Sequence, residues 1–240
     1  MIASSSLLMA HDYVGMTFWL ATAIMLASTV FFFVERSDVS GKWRTSMTVA
    51  GLVTGIAFWH YLYMREAHIV AFNGGGESTT TVFRYIDWLI TVPLQIVEFY
   101  LILAAVTAVT SVLFWRLLGA SLVMLVFGFL GEAGLVDATI GFVLGMAGWL
   151  YIIYEIFAGE AAKLSENSNN AGGQFAFNTL RLIVTVGWAI YPIGYFLGYL
   201  SGSETTDFGT VNIIYNVADL VNKTAFGLAI WVGATMDSSK

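Results

Sequence analysis

Long apolar stretches alternate with short polar ones along the chain, and the charged residues mark where each stretch stops. Residues 13–34 lie uncharged between Asp12 and Glu35. Residues 45–64 lie between Arg44 and Arg65 and carry no Asp, Glu, Lys or Arg, with His60 as their single histidine. A third stretch runs from near Val82 past Leu103 and holds Arg84, Asp87 and Glu98. The fourth covers 112–130, the fifth 139–157 and the sixth 182–200; the seventh, about 211–236, holds Asp219 and Lys223. Each is long enough to cross a hydrocarbon core of about 30 Å as a helix. All are too long for the tilted strands of about ten residues that build membrane barrels. The pattern predicts an all-α membrane protein, a seven-transmembrane-helix bundle occupying 1–240 as one domain. The longest expected connections are 66–81, with the turn signal Asn73-Gly74-Gly75-Gly76, and 159–174, with the polar run 167–173. No internal repeat or linker marks a second domain.

Composition strengthens this reading. Of 240 residues 58% are hydrophobic and 11% charged, and mean hydropathy is +0.78. A soluble domain uses roughly a quarter charged residues to cover its surface. There is no cysteine, which removes disulfides, thiolate metal sites and a cysteine nucleophile; no metal site or enzymatic centre suggests itself. A net charge of −6 argues against a nucleic-acid partner. The start of the chain lacks a basic region followed by a long apolar run, so no signal peptide is expected. Orientation follows from the positive-inside rule. With the N-terminus outside and the C-terminus cytoplasmic, Arg36, Lys42, Arg44, Arg116, Lys163, Arg181 and Lys240 fall inside. Arg65 alone falls outside, with Arg84 just within the third span, while Glu66, Glu77, Glu132, Asp137, Glu204 and Asp207 populate the outer loops.

Charges within spans are expensive, about 2.5–3.5 kcal/mol each on insertion scales, and are usually kept for a use. On the third span Asp87, Thr91, Gln95 and Glu98 are spaced i, i+4, i+8 and i+11. The eleven-residue step returns to within about 20° of one helix face and rises about 16 Å. Two carboxylates with polar residues between them resemble stations on a proton path, Asp87 toward the outside and Glu98 toward the cytoplasm. Asp219 and Lys223, at i,i+4, could be an inert neutralising pair. That reading leaves Arg84, Asp87 and Glu98 unexplained. A desolvated lysine can instead condense with an aldehyde to a Schiff base. If protonated, it would need a counter-ion, and Asp87 and Asp219 are the candidates. Tyr85, Trp88, Trp149, Trp188, Tyr191 and Tyr195 could wall a conjugated chain, although any one of them alone could be ordinary core packing.

The segment Arg84-Tyr85-Ile86-Asp87-Trp88-Leu89-Ile90-Thr91-Val92-Pro93 resembles the third-helix signature of the microbial rhodopsins. Asp219-Leu220-Val221-Asn222-Lys223 resembles their retinal-lysine helix, and Trp188-Ala189-Ile190-Tyr191-Pro192 their sixth-helix pocket. Phe58-Trp59-His60-Tyr61 and Glu98-Phe99-Tyr100 are most similar to the proteorhodopsins, and Gln95 to the blue-absorbing ones among them. The resemblance covers essentially the whole chain.

It implies all-trans retinal bound to Lys223 as a protonated Schiff base. Asp87 would then be primary counter-ion and proton acceptor, Asp219 the second counter-ion and Glu98 the proton donor. Arg84, Thr91 and His60 would be partners of the acceptor. Met124, with Tyr85, Trp88, Trp149, Trp188, Tyr191 and Tyr195, would line the retinal. The triad Asp87, Thr91 and Glu98 matches the outward proton pumps, and differs from the sodium and chloride pumps. Glutamine at Gln95 matches the blue-absorbing members. A polar amide near the Schiff-base end stabilises the positive charge concentrated there in the dark, which widens the excitation gap. The resemblance further implies a bacterial-type plasma membrane location and a homo-oligomeric ring, pentamer or hexamer, with His60 near a neighbouring subunit and Trp19 at the contact. The connection 66–81 looks longer than usual in the family.

The reading is thus a light-driven outward proton pump. A photosensor using the same chromophore needs no rapid reprotonation, which the carboxylate of Glu98 would serve. A transporter without chromophore would be colourless with retinal. A G-protein-coupled receptor fits poorly, lacking an outer disulfide and large cytoplasmic loops.

Overall fold

The computed structural model describes residues 8–75, 80–201 and 208–238, and among these every regular element is helical. Glu77, Glu204, Asp207 and Lys240 of the charge count lie outside them. Helix α1 is Tyr13–Glu35, and a 3-10 turn at Gly41–Trp43 leads into α2, Arg44–Asn73. Then follow α3 (Thr81–Val106), α4 (Ser111–Glu132), α5 (Ala138–Phe157) and the short α6 (Glu160–Asn167). The sixth crossing is composite: α7 (Ala171–Leu182), a π turn at Ile183–Gly187, α8 (Ile190–Tyr195) and a second π turn at Phe196–Leu200. Helix α9 is Phe208–Ser238. Six segments are long and apolar enough to cross a membrane by length and composition. Helix α9 is the seventh crossing; it places Asn212, Asn216, Asp219, Asn222 and Lys223 on its buried side.

Two connections expected as loops are largely helical. Helix α2 continues through Asn73 and ends in a turn at Gly74 and Gly75, Gly75 with φ +76°, so 66–73 of the expected connection is helical; Gly76 of the turn signal lies outside the described residues. His68 explains why the extra turns are held: its Nε2 donates to both carboxylate oxygens of Asp12, at 2.9 and 3.0 Å, and both residues are buried. Asp12 also caps α1, accepting from the Gly15 amide at 2.7 Å. In 159–174, α6 forms because the buried Glu155 accepts the amides of Glu160 and Ala161, at 2.8 and 3.3 Å, at its open N-terminus. The sixth helix begins at Ala171 rather than near 182, capped by the Asn170 side chain on the Gly173 amide.

Neighbouring helices approach closely where side chains are small. A methyl group on Gly141 of α5 would lie 2.7 Å from the Gly131 Cα of α4, and one on Gly148 would lie 2.7 Å from the Ala120 carbonyl. The middle of the sixth crossing departs from α geometry at Pro192, which has no N–H to give. Trp188 donates to the Ile183 carbonyl, five residues back, and Tyr191 donates to that of Trp188. The Gly187 carbonyl accepts instead from Asn222 Nδ2 of α9, at 3.0 Å. The bulge thereby turns Trp188 and Tyr191 toward the centre of the bundle. The apolar core runs through the bundle axis, from Trp43 and Phe177 at one end to Tyr85, Trp88 and Tyr215 toward the other.

Candidate functional site

Lys223 of α9 is buried at the bundle centre with two carboxylates on its ammonium group. It pairs with Asp87 Oδ2 of α3, and its Nζ lies 3.4 Å from Asp219 Oδ2, one turn away on its own helix. The aspartates are held differently. Asp219 Oδ2 accepts from Tyr61 Oη of α2 at 2.9 Å, and Oδ1 from Tyr191 Oη at 2.7 Å. Trp88 Nε1 donates to both oxygens, at 3.2 and 3.3 Å. Asp87 Oδ1 has no hydrogen-bond partner among the described residues. His60 Nδ1 stands 3.6 Å from it, within ion-pair range but committed to the Ile56 carbonyl at 2.9 Å. Thr91 Oγ1 donates to the backbone carbonyl of Asp87 at 3.0 Å, not to the carboxylate.

Arg84 is fully buried and surrounded by neutral oxygens. It donates to Thr80 Oγ1 (3.1 Å), Tyr61 Oη (3.4 Å), Asn212 Oδ1 (3.0 Å) and Asn216 Oδ1 (2.6 Å). Thr80 takes a left-handed φ of +47° just before α3 to reach this cage, a strained conformation for a β-branched residue. Glu98 lies on the other side of Asp87 along α3, with 0% exposure and neither carboxylate oxygen in a hydrogen bond among the described residues. The rings of Phe177 and Phe226 close on Phe99 beside it, at centroid distances of 5.2 and 6.5 Å.

A cavity with about 760 Å³ of atom-free space, mouth included, opens from Lys223 and Asp219 between α3, α4, α5 and the composite sixth crossing. Tyr85, Trp88, Met124, Trp149, Trp188, Tyr191 and Tyr195 all line it. Gln95 lines it too, with an Nε2 that has no partner among the described residues. Trp149 and Tyr195 satisfy their polar atoms outward, on the carbonyls of Val184 (2.9 Å) and Ala138 (2.8 Å), so they offer ring surface to the interior. An elongated aromatic slot ending at a buried amine suits a conjugated apolar aldehyde. Trp19 is on the outer surface of α1, with the Arg65 guanidinium 3.9 Å above its ring.

Several members of this site escaped the sequence reading. Tyr61 stood inside a quoted motif without a role. Asn212 and Asn216 continue the face of Asp219 and Lys223 at steps of four, three and four residues, a signal that was present and unused. Glu132, counted among loop acids, is the last residue of α4 and lines the cavity.

The geometry is that of a seven-helix protein built around a buried lysine and its counter-charges. The profile of the bacteriorhodopsin-like protein family matches residues 12–236, and the chain belongs to that family. It is 58% identical to the blue-light absorbing proteorhodopsin of Gamma-proteobacterium Hot 75m4, over 95% of this chain and 88% of that one. It is equally 58% identical to the green-light absorbing proteorhodopsin of Gamma-proteobacterium EBAC31A08, over 96% and 90%. The crystal structure of a blue light-absorbing proteorhodopsin from Med12 superposes with a TM-score of 0.80 at 62% identity, covering 94% of this chain and 100% of the other. The chain is a multi-pass protein of the bacterial plasma membrane, and its family binds retinal through a lysine Schiff base.

Proposed function

We propose that the protein is a light-driven outward proton pump with retinal on Lys223, Asp87 as proton acceptor and Glu98 as donor. The observation that carries this is the order of buried acids on α3. Asp87 touches the lysine with one oxygen and keeps the other free, while Glu98, on the same helix face, waits unpaired beyond it. When bound, retinal supplies absorption of visible light and a light-driven change of shape at the lysine nitrogen. The protein supplies the rest. Asp219, held by three donors, stays as a fixed negative charge. Asp87 takes the proton on its unoccupied oxygen. Arg84, caged by Asn212 and Asn216, keeps positive charge on the exit side. Glu98 returns a proton from the opposite side, behind the Phe99, Phe177 and Phe226 rings that keep water away.

With the N-terminus outside, as the distribution of lysine and arginine supports, this direction is outward. His60 couples to Asp87 through charge at 3.6 Å. Gln95, with its free amide on the cavity wall, supports blue absorption. Trp19 and His60 belong to the contact between subunits of a pentameric or hexameric ring. In cells supplied with retinal, light should acidify the medium, and a protonophore should abolish the signal. Lys223→Ala should lose the visible band altogether. A parent that absorbs but moves no protons, with a photocycle of many seconds, would make it a sensor instead.

A further inference from the structure

Asn222 immediately precedes Lys223 on α9, is 3% exposed, and takes no part in the proton steps assigned to Asp87 and Glu98. Successive helical residues point about 100° apart, so while Lys223 faces α3 and Asp87, Asn222 faces the sixth crossing. There its Nδ2 donates to the Gly187 carbonyl at 3.0 Å, in the π turn at Ile183–Gly187. The approach is close: a methyl group on Gly187 would lie 2.2 Å from Asn222 Oδ1. A second helix grips the same turn, since Trp149 Nε1 of α5 donates to the Val184 carbonyl at 2.9 Å. A π turn interrupts the regular helical ladder and is a frequent mark of function. Here two of its carbonyls are held by side chains of neighbouring helices, so its shape follows theirs.

That shape has consequences in both directions along the chain. After Gly187, Trp188 and Tyr191 line the cavity, and Tyr191 Oη donates to Asp219 Oδ1 at 2.7 Å. Before it, the π turn runs on directly from α7, whose Phe177 ring packs edge-on against Phe99, the neighbour of Glu98, with 5.2 Å between centroids. A backbone movement at Lys223 reaches the π turn through one peptide bond and one hydrogen bond, and α7 extends from there to the rings that shield Glu98. We propose that Asn222 is a positioning residue that carries the displacement of Lys223 into the π turn of the sixth crossing, and thereby sets when the Phe177 side of Glu98 opens to a proton. No covalent bond changes; one hydrogen bond moves with the two helices it joins. The timing of Glu98 rests on the pump reading, whereas the link from Lys223 to Gly187 does not. A pin that merely satisfied the Gly187 carbonyl would keep one geometry in dark and light.

Glycine labelled with ¹³C at the carbonyl and tryptophan labelled with ¹⁵N together mark two peptide bonds of the chain, Gly187–Trp188 and Gly148–Trp149, and the second is an internal reference. In solid-state NMR spectra of the protein in a bilayer, before retinal is added, Asn222→Ala should shift the Gly187 carbonyl and leave that of Gly148 in place. With retinal bound, light should move the Gly187 signal of the parent but not that of Asn222→Ala. Flash photolysis should show recovery slowed roughly tenfold in the variant. Gly187→Ala, whose methyl group displaces the amide, should slow recovery to the same degree, and the double variant should be no slower than either. The visible band shows that each variant has folded around its chromophore. A Gly187 carbonyl that light leaves unmoved in a parent that pumps, or moves equally in Asn222→Ala, would overturn the link, as would parental recovery rates in both variants. A parent whose Gly187 signal responds to light but which never acidifies the medium keeps the link and fails the pump reading.

Discussion

Two aspartates touch one lysine, yet their surroundings are opposites. On the α9 side Asp219 receives Tyr61, Tyr191 and Trp88, drawn from three other helices. On the α3 side Asp87 has the lysine on one oxygen and nothing bonded to the other among the described residues. A buried anion with all its acceptor positions filled gains little from a proton, which would have to displace a donor. A buried anion with an empty position has every reason to take one. The difference teaches that two carboxylates beside one lysine are told apart not by charge but by how completely they are hydrogen-bonded, and on the proposed reading that is what divides their roles.

The strongest way to break the comparison is to neutralise each aspartate in turn. Asp87→Asn should abolish outward transport and shift the dark spectrum, with little loss of thermal stability. Asp219→Asn should do the reverse in stability. An amide can accept on only one atom, so at least one donor among Tyr61, Tyr191 and Trp88 is left unmatched, at about 1–3 kcal/mol. Equal stability losses in thermal melts of the two variants would remove the distinction.

Next in size is Glu98→Gln, which should leave the dark band in place and slow recovery of the resting state by roughly 10²-fold or more. Flash photolysis at neutral pH measures it, and recovery as fast as the parent's would deny Glu98 the donor role. A smaller effect, on colour alone, is expected of Gln95→Leu. Removing the free amide from the cavity wall should move absorption toward green while transport continues. The equal identity to blue- and green-absorbing relatives makes this single residue a sharper test than overall similarity.

The smallest effect belongs to a paired aspartate at the water's edge. Asp237, just past the last span, accepts from Lys42 (2.6 Å), Trp43 Nε1 (2.7 Å) and Asn170 Nδ2 (2.6 Å), tying α9 to the two loops beside it. Partial burial pushes its carboxyl up, but these three donors outweigh it and hold the group below the usual aspartate range. The stability it contributes is therefore full above the unfolded value, near 3.9, and lost as pH falls through the lowered folded one. Lys42 is 44% exposed, so the ion pair itself is screened, and Asp237→Asn should cost about 1 kcal/mol. Thermal melts should show parent and variant converging as pH falls; a variant as stable as the parent at neutral pH would show that the tie is idle.

Much of this was legible along the chain. The seven apolar runs, the shared face of Asp87 and Glu98, the four-residue step from Asp219 to Lys223 and the aromatic residues of the cavity follow from spacing and from the family's motifs. Helix periodicity is local, so a linear reading recovers it. What the linear reading lacked came from contacts between segments far apart. His68 extends α2 because it meets Asp12, 56 residues earlier. Asn222 holds the bulge that Pro192 opens, 35 residues from the carbonyl it bonds. Tyr61 completes Asp219 across 158 residues, and Tyr85 and Tyr215 draw Glu132 out of an assumed loop. A side chain's spacing says which face of its helix it occupies. Which donors fill its lone pairs depends on the helices packed against that face, and here that packing fills both oxygens of Asp219 while leaving Asp87 Oδ1 without a hydrogen bond among the described residues.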